Sequence, residues 1–370
     1  MRRWLLALLC LLLLGGSCKA EEAIQRALDA ADLGGLEEFA GEVAPELNLE
    51  QVVQDATQGE LTSADELLDR LREYALTALR EALGACGALI VPALLLATLR
   101  CVLPKGGGGS EGARFLLLCV LMQSMMRLVL DGMAGVEACM RRISGFADAA
   151  APPLAALMTA AGMTNGAALL TPLSALVGGA VEDWLLKYGL PLCRYALVLA
   201  VAGNLSEAID LSKACRLMRK AANWGAGLAV TLFTALTAIQ GTVASGMDGV
   251  AVRTAKYAVD SVTSVIGSGV SDAWDSYVAG ILIAQNAVGV SGVTLLLALG
   301  LKPMLRTAAA MLMLNLFAAL MDMLGEKHAA RAAEQVAGVC QMLLMLCAAA
   351  FTLGMILLGA AMAAGRTLLG

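Results

Sequence analysis

Two acidic residues are spaced so that they could act together. Asp272 and Asp275 stand three positions apart in a polar, glycine-rich stretch that precedes an apolar run. A helix would place both carboxylates on one face, where they could form an acid/base pair or hold a cation. The plainer interpretation is that both are solvated surface acids. Lys256 and Asp260 lie in the same stretch and are candidate functional residues with them.

Other polar residues interrupt long apolar runs, where burial in lipid is costly unless a partner is present. Arg127 and Asp131 are four apart, so a helix would place them on one face as a pair. Such residues could line a pore or an ion site. Alternatively, they hold neighbouring helices together or extend their charges to the membrane surface. The other candidates of this kind are Arg194, Asn204, Gln285, Asn286 and Asp322.

The sequence contains no established catalytic or cofactor motif. Its single histidine, His328, excludes a site built from several histidines. No phosphate-binding loop, dinucleotide fingerprint, zinc-protease motif or serine-hydrolase motif occurs. The ten cysteines include no CxxC pair, and buried cysteine behaves as a small hydrophobe. We therefore predict no enzyme, no cofactor and no bound metal, and energy for any transport would come from a partner or an ion gradient.

The elements that carry these residues are mostly apolar. Hydrophobic residues make up 59% of the chain and charged residues 15%, against roughly 25% charged in soluble proteins. The 39 glycines suit membrane helices that pack closely. Residues 21–80 carry a net charge of −11 and residues 81–370 a net charge of +3, and no cluster of basic residues indicates nucleic-acid binding.

The two ends of the chain define its class. Residues 1–22 contain two arginines, an apolar stretch at 4–14 and small residues up to Ala20. This predicts a cleaved signal peptide over 1–20, because the apolar core is shorter than the roughly 18 residues that a span needs. A lipoprotein signal that uses Cys18 is the alternative. Residues 336–365 carry no charge and are long enough to cross a bilayer.

The chain is thus predicted to be an all-α, polytopic helical membrane protein with a cleaved signal peptide. Residues 21–81 form a short, acidic, exported helical segment, in which Ser63 and Glu66 supply a capping box. This segment is either a module that docks partners or a solvated spacer. Residues 82–370 form the multi-span domain, with apolar runs at 82–103, 115–135, 149–181, 188–209, 222–247, 276–301, 303–321 and 336–365.

The run at 149–181 determines the topology. Three prolines and the break at 162–166 make it too irregular for one straight span, and it is short for two, so a re-entrant segment or a broken helix fits best. If it returns to its starting side, the basic loop at 210–221 lies in the cytoplasm, as the positive-inside rule requires. We therefore predict about seven crossings, a re-entrant segment, an exported N-terminal segment and a cytoplasmic C-terminus.

Four short stretches carry a family resemblance: RTAKY at 253–257, SDAWD at 271–275, QNAVGVSG at 285–292 and LKP at 301–303. With the overall layout from about residue 85 onward, the chain resembles the stage III sporulation protein AE family of endospore-forming bacteria. The resemblance implies a membrane subunit of the channel apparatus that joins mother cell and forespore. Its implied partners are other envelope proteins of that complex, including an ATPase and ring-forming components.

The resemblance further implies a permease-like or scaffold role that is needed for late forespore gene expression. It also implies a location in the cell membrane, namely the mother-cell membrane around the forespore. The alternative is a stand-alone secondary transporter of a small solute or ion, because transporter folds often contain broken helices near the middle of the membrane. An intramembrane enzyme that uses Asp272 and Asp275 is a third interpretation.

Overall fold

The computed structural model describes residues 108–205, 212–266 and 269–366, together with parts of 24–98. The predicted signal peptide and the capping box at Ser63 and Glu66 lie outside the described residues. Every element that it does describe is helical, which confirms the predicted all-α fold. The helices are α1 Gly34–Val43, α2 Leu49–Gln58, α3 Gly108–Ala160, α4 Thr164–Gly179, α5 Leu190–Leu205, α6 Ser212–Ile266, α7 Gly269–Met323 and α8 Lys327–Arg366.

Five stretches are long and apolar enough to cross a membrane, and they contain 36 to 46 residues each. At 1.5 Å per residue they are about 54 to 69 Å long, whereas the hydrocarbon core of a bilayer measures about 30 Å. Each stretch is therefore long enough to cross the bilayer and to extend beyond the hydrocarbon core by several helical turns. The candidate spans are Phe115–Ala160, Thr164–Asn204, Lys213–Asp248, Val278–Met323 and Lys327–Ala364.

Some apolar runs that are separate in the sequence belong to one continuous helix in the structure. The runs at 276–301 and 303–321 both lie in α7, with Pro303 inside the helix. Proline removes one backbone hydrogen bond, yet the surrounding ladder continues the helix on both sides. Pro152 and Pro153 likewise lie inside α3. The predicted number of crossings stays a prediction, since it depends on where the bilayer lies along these long helices.

The break within 149–181 is a tight turn between two packed helices, α3 and α4. Gly162 has a φ of 86°, and the backbone N–H groups of Gly162 and Met163 donate to the carbonyls of Thr159 and Met158. This is a Schellman ending, in which glycine supplies the left-handed residue. Gly325 ends α7 in the same manner with a φ of 80°. The helix is thus broken within 149–181, while the predicted re-entrant course of this segment stays a prediction.

Between α4 and α5 the chain stays helical but widens into a π-helix over Ala180–Gly189. Long π-helical segments are rare in proteins. The indole of Trp184 lies directly against Gly225 of α6, where a Cβ atom would overlap the ring. The absence of a side chain at Gly225 therefore allows the two helices to meet at this point.

Helix α8 lies at the centre of the bundle and packs against α3, α4, α5, α6 and α7. It carries no charge beyond Glu334 until Arg366, so nearly its whole length can be buried among other helices. Its neighbours α3 and α7 run antiparallel to each other: Gly292 of α7 faces Phe146 of α3, and the carbonyl of Leu299 accepts a bond from Cys139. This arrangement determines which residues meet at each end of the bundle.

Part of the acidic N-terminal segment packs against this bundle. Leu36 and Ala40 of α1 are both 1% exposed, and the ring of Phe39 lies 6.3 Å from that of Phe146 in α3. Helix α2 contacts α7. The apolar positions of α1 thus belong to the core that the membrane helices form.

Candidate functional site

The most complete polar site surrounds Asp248, which is 2% exposed near the middle of α6. One carboxylate oxygen accepts hydrogen bonds from the backbone N–H of Asn165 at 3.0 Å and from the side-chain amide of Asn165 at 2.9 Å. The other accepts from the N–H of Gly166 at 2.8 Å. The carboxylate therefore caps the first turn of α4, from a position 82 residues away in the sequence.

The first turn of α4 needs such a partner. The first N–H groups of a helix have no acceptor within it, and the helix dipole favours a negative charge there. The residue at the N-cap position is Met163, whose side chain makes no capping bond. Asp248 supplies the missing acceptor from another helix. The bond thereby joins the α3–α4 hairpin to α6.

Gly166 makes room for this carboxylate. A Cβ atom at that position would lie 3.1 Å from the Asp248 Oδ2 atom and 2.7 Å from the methyl carbon of Met158. A larger residue would force the acid away from the helix end. The glycine is therefore part of the site.

A cavity of about 300 Å³ adjoins Gly166. Its walls come from the end of α3, the first half of α4, the middle of α6 and the end of α8, and they are mostly apolar. Thr237 lines it, but its hydroxyl donates to the carbonyl of Phe233 within α6. Gln240 also lines it, and the Oε1 atom of Gln240 is buried without a hydrogen-bond partner among the described residues. The cavity thus combines apolar walls with one acceptor.

The neighbours Gln285 and Asn286 have different surroundings. Gln285 is 1% exposed, and its amide nitrogen donates to the carbonyl of Ala361 in α8 at 2.6 Å. Asn286 is exposed. The interpretation of these residues as bonds between helices thus fits the position of Gln285, which joins α7 to α8 close to the cavity.

Two other predicted residues bond α5 to its neighbours. The amide of Asn204 donates to the carbonyl of Ala200 at 2.7 Å and to the Oε1 atom of Gln335 in α8 at 3.1 Å. Arg194 forms an ion pair of 3.0 Å with Glu137 of α3, and Arg141 shares the same carboxylate. The Arg194 side chain is 56% exposed, so this pair lies at the surface of the bundle.

Arg127 and Asp131 lie on one face of α3, as their spacing predicts, and the structure shows that both are exposed. The pairs that join described residues do not include a salt bridge between them. Asp322 is also exposed and lines a polar crevice of about 520 Å³ at the α7–α8 turn. The crevice is formed with Asn315, Lys327, Arg331 and Glu334.

Lys256 and Asp260 fall within α6, and Asp272 and Asp275 within α7, but their side chains lie outside the described residues. The described cysteines Cys139, Cys193, Cys215, Cys340 and Cys347 are free and buried. Among the described residues, no three His, Cys, Asp or Glu side chains are placed to hold a metal ion.

Asp248 and Gln240 were not among the predicted functional residues. Asp248 directly follows the uncharged run at 222–247. An acid at that point indicates the start of a loop rather than a buried site. Its partners, Asn165 and Gly166, belong to the helix break that the sequence does reveal. The missing information was the contact between the two regions, which no spacing along the chain encodes.

The fold and its polar bonds define a polytopic helical membrane protein with five candidate spans. The chain belongs to the stage III sporulation protein AE family, whose model matches residues 47–365. The stage III sporulation protein AE of Bacillus subtilis (strain 168) is 25% identical over 183 residues. That alignment covers 50% of this chain and 46% of the relative, so about half of each is compared. No solved structure matches the chain.

Membership of this family confirms the resemblance carried by the four short stretches, all of which fall within the matched residues. The protein is therefore a membrane protein of the sporulation programme. The family's description names a stage of sporulation and no catalytic activity.

Proposed function

We propose that the protein is an integral membrane subunit, permease-like or scaffold, of the sporulation channel complex between mother cell and forespore. In this role it is needed for late forespore gene expression. The observation that carries the proposal is the family match over residues 47–365, which includes all five candidate spans. The subunit itself is proposed to be non-catalytic and to work with an ATPase and ring-forming envelope proteins.

The packing of the bundle favours a scaffold over a stand-alone carrier. The largest fully buried side chains of the described residues are apolar, among them Leu121, Met125, Ile143 and Phe146. Buried polar groups such as Asn204 and Gln285 bond to neighbouring helices. A polar solute needs a path lined by water and polar groups. The closely packed, mostly apolar interior of this bundle instead provides rigid support. A conduit would then form between this subunit and its partners.

We place the protein in the mother-cell membrane around the forespore, with the N-terminal segment exported. The starts of α6 and α8 lie at the same end of the bundle, since the Arg219 guanidinium rests against Gly338. Basic residues gather there, including Lys213, Arg216 and Lys327. The positive-inside rule assigns this end to the cytoplasm.

A cytoplasmic start of α8 puts the other end of this helix outside, whereas the sequence predicts a cytoplasmic C-terminus, so the side of the C-terminus tests the crossing number. A single crossing by the continuous α7 puts the end of α8 on the side opposite to Lys213, whereas a seven-crossing chain puts both on the cytoplasmic side. Single cysteines at Lys213 and Arg366, in a chain whose other cysteines are replaced, can be labelled with a reagent that does not cross membranes. Equal protection of both positions in intact cells supports seven crossings, and labelling of Arg366→Cys alone supports five.

The complex itself is tested by affinity purification of the tagged full-length protein from membranes of sporulating cells, with vegetative cells as the control. The proposal expects an ATPase and ring-forming envelope proteins to be recovered in the sporulating sample and not in the vegetative one. Recovery of the protein alone in both growth states overturns the proposal.

A second candidate function, secondary transport, is favoured by one observation: a broken helix capped by a buried carboxylate beside a cavity of about 300 Å³. Broken helices with such ends often bind ions or solutes in transporters. Proteoliposomes that contain the purified protein alone test this function. Proton-coupled uptake that Asp272→Asn or Asp248→Asn abolishes, while Asp322→Asn retains it, would replace the scaffold proposal. Absence of uptake leaves the complex subunit as the supported function.

A further inference from the structure

The crevice at the α7–α8 turn is lined by charged groups of both signs. Lys327, Arg331 and Glu334 follow one another along one face of α8 at spacings of four and three. Asn315 and Asp322 line the crevice from α7 and stand about 10 Å apart along the helix axis. The remaining lining residues are small, namely Ala318, Ala319 and Ala330. The crevice, of about 520 Å³, thus carries two positive and two negative groups and no net charge.

These charges are not neutralised within the described part of the chain. All four charged side chains are exposed, and the salt bridges between described residues include none of them. Arg331 and Glu334 stand one and two turns inside the candidate span that begins at Lys327. Charges inside a span are costly unless a partner is present. A ligand that fits the crevice therefore offers both a negative and a positive group.

An exposed apolar stripe runs along α7 beside the crevice. Its members are Leu312, Leu316, Leu320 and Met323, which are 52%, 52%, 51% and 84% exposed. The last three each follow a crevice residue by one position, so the stripe lies about 100° around the helix from the crevice. From Met323 at the turn it extends about 16 Å along α7. A polar crevice next to an apolar stripe matches the polar and apolar parts of a phospholipid.

We propose that the crevice binds the headgroup of a phospholipid that carries a phosphate and a primary ammonium group, while the acyl chains of this lipid lie on the stripe. Lys327 and Arg331 are one turn apart and donate to the phosphate. Glu334, about one turn beyond Arg331, accepts hydrogen bonds from the ammonium group, and Asp322 adds a second carboxylate from α7.

Position and surface together select a lipid over a soluble ligand. The crevice lies at the turn between the candidate spans Val278–Met323 and Lys327–Ala364, which is where a membrane surface and its headgroups are met. A soluble zwitterion would leave the stripe uncovered, whereas acyl chains cover it. The paired charges of the crevice favour a headgroup with both signs over one that carries a phosphate alone.

The test measures the binding of defined phospholipids to the delipidated full-length protein by native mass spectrometry in detergent. Phosphatidylethanolamine is expected to bind about tenfold more tightly than phosphatidylglycerol, which has no ammonium group, or phosphatidylcholine, whose quaternary ammonium donates no hydrogen bond. Arg331→Ala is expected to weaken the binding of all three lipids about tenfold, because all three contain the phosphate. Glu334→Gln is expected to abolish the preference for phosphatidylethanolamine over phosphatidylglycerol.

Two matched controls remove exposed charges of the same signs from α3. Arg127→Ala and Asp131→Asn are expected to change neither the affinity nor the preference. Equal affinity of the unaltered protein for the three lipids would overturn the proposal, and so would equal effects of the crevice variants and the controls.

Two further measurements use the unaltered protein and are independent of any effect on folding. Glycerophosphoethanolamine, the same headgroup without acyl chains, is expected to leave the bound lipid in place even in large excess, and displacement would overturn the role of the stripe. Phosphatidylethanolamine with a photoreactive group in its acyl chains is expected to label Leu316, Leu320 and Met323. Equal labelling of Leu228 and Leu232, which are exposed on α6, would overturn the proposal.

Discussion

Asp248 and Asp131 are both carboxylates within candidate spans, yet their surroundings are opposite. Asp248 is 2% exposed and accepts three hydrogen bonds from the start of α4. Asp131 is exposed on α3, and the salt bridges among the described residues do not include it. The first is satisfied within one chain, whereas the second is available to another molecule.

The two acids illustrate two ways in which the free-energy cost of a charge in an apolar helix can be offset. A buried acid is kept because other helices supply donors, so it stabilises the fold and its loss disrupts one chain. An exposed acid contributes little to the stability of a single chain, so its effect appears in association. Four substitutions of single residues test this distinction, in order of expected effect on the free energy of unfolding.

Asp248→Ala is expected to cause the largest loss. It leaves the buried N–H of Gly166 and the half-buried N–H of Asn165 without an acceptor, which costs about 3 kcal/mol of unfolding free energy in total. Reversible unfolding of the purified protein in mixed micelles measures this loss. The control is Asp322→Ala, an exposed acid for which a change below about 0.5 kcal/mol is expected. Equal losses for the two acids would remove the distinction between buried and exposed carboxylates.

Gly166→Ala perturbs the same site without removing a charge. The added methyl group would lie 3.1 Å from the Asp248 carboxylate, which its three hydrogen bonds hold in place. Overpacking of this kind costs about 2 kcal/mol. Gly179→Ala at the other end of α4 meets nothing within 4 Å and is expected to be neutral or stabilising. Thermal unfolding measures both variants. Equal midpoints for Gly166→Ala and Gly179→Ala would contradict the close packing at Gly166.

Gln285→Leu tests the buried polar bond at the same end of the bundle. It removes the hydrogen bond to the carbonyl of Ala361 but also the Oε1 atom, which is buried without a partner among the described residues, so the expected loss is at most about 1 kcal/mol. The neighbouring change Asn286→Leu alters an exposed amide and is expected to cost less than half of that. The difference between these two adjacent positions in chemical unfolding reports burial directly, and an equal loss would argue against the interhelical bond.

Arg194→Ala is expected to have the smallest effect. Its ion pair with Glu137 is more than half exposed on the arginine side, and such pairs contribute about 0.5 kcal/mol. A double-mutant cycle with Glu137→Ala measures the coupling, which is expected to fall further at high salt. A coupling well above 1 kcal/mol would show that the Arg194–Glu137 pair contributes as much to stability as the buried polar groups around Asp248 do.

Much of the fold could be predicted because its signals are local. Long apolar runs predict helices, and Gly162 and Gly325 lie where helices end, since glycine readily adopts the left-handed conformation that a Schellman ending needs. The family was recognisable from four short stretches within the matched region. The shared face of Arg127 and Asp131 followed from helical spacing alone, because it depends on one helix.

The candidate site was predictable only in part because it depends on contacts between distant segments. Gln285 and Asn204 were identified as polar groups in apolar runs, but their partners Ala361 and Gln335 could not be read from spacing. Arg194 was identified in the same manner, and its pairing with Glu137 of another helix could not be read from spacing either. Asp248 was missed since its role arises from the end of α4, 82 residues earlier.

The sequence by itself determined the class of this protein, its helical content, the helix break at 162–166 and its family. These follow from composition, periodicity and residue types that act over a few turns of chain. Only the tertiary structure decided which polar groups are buried and paired and which stay exposed on α3. The reason is physical: the cost of a polar group depends on whether a donor or acceptor lies within about 3 Å. For Asp248 that neighbour comes from a distant part of the chain.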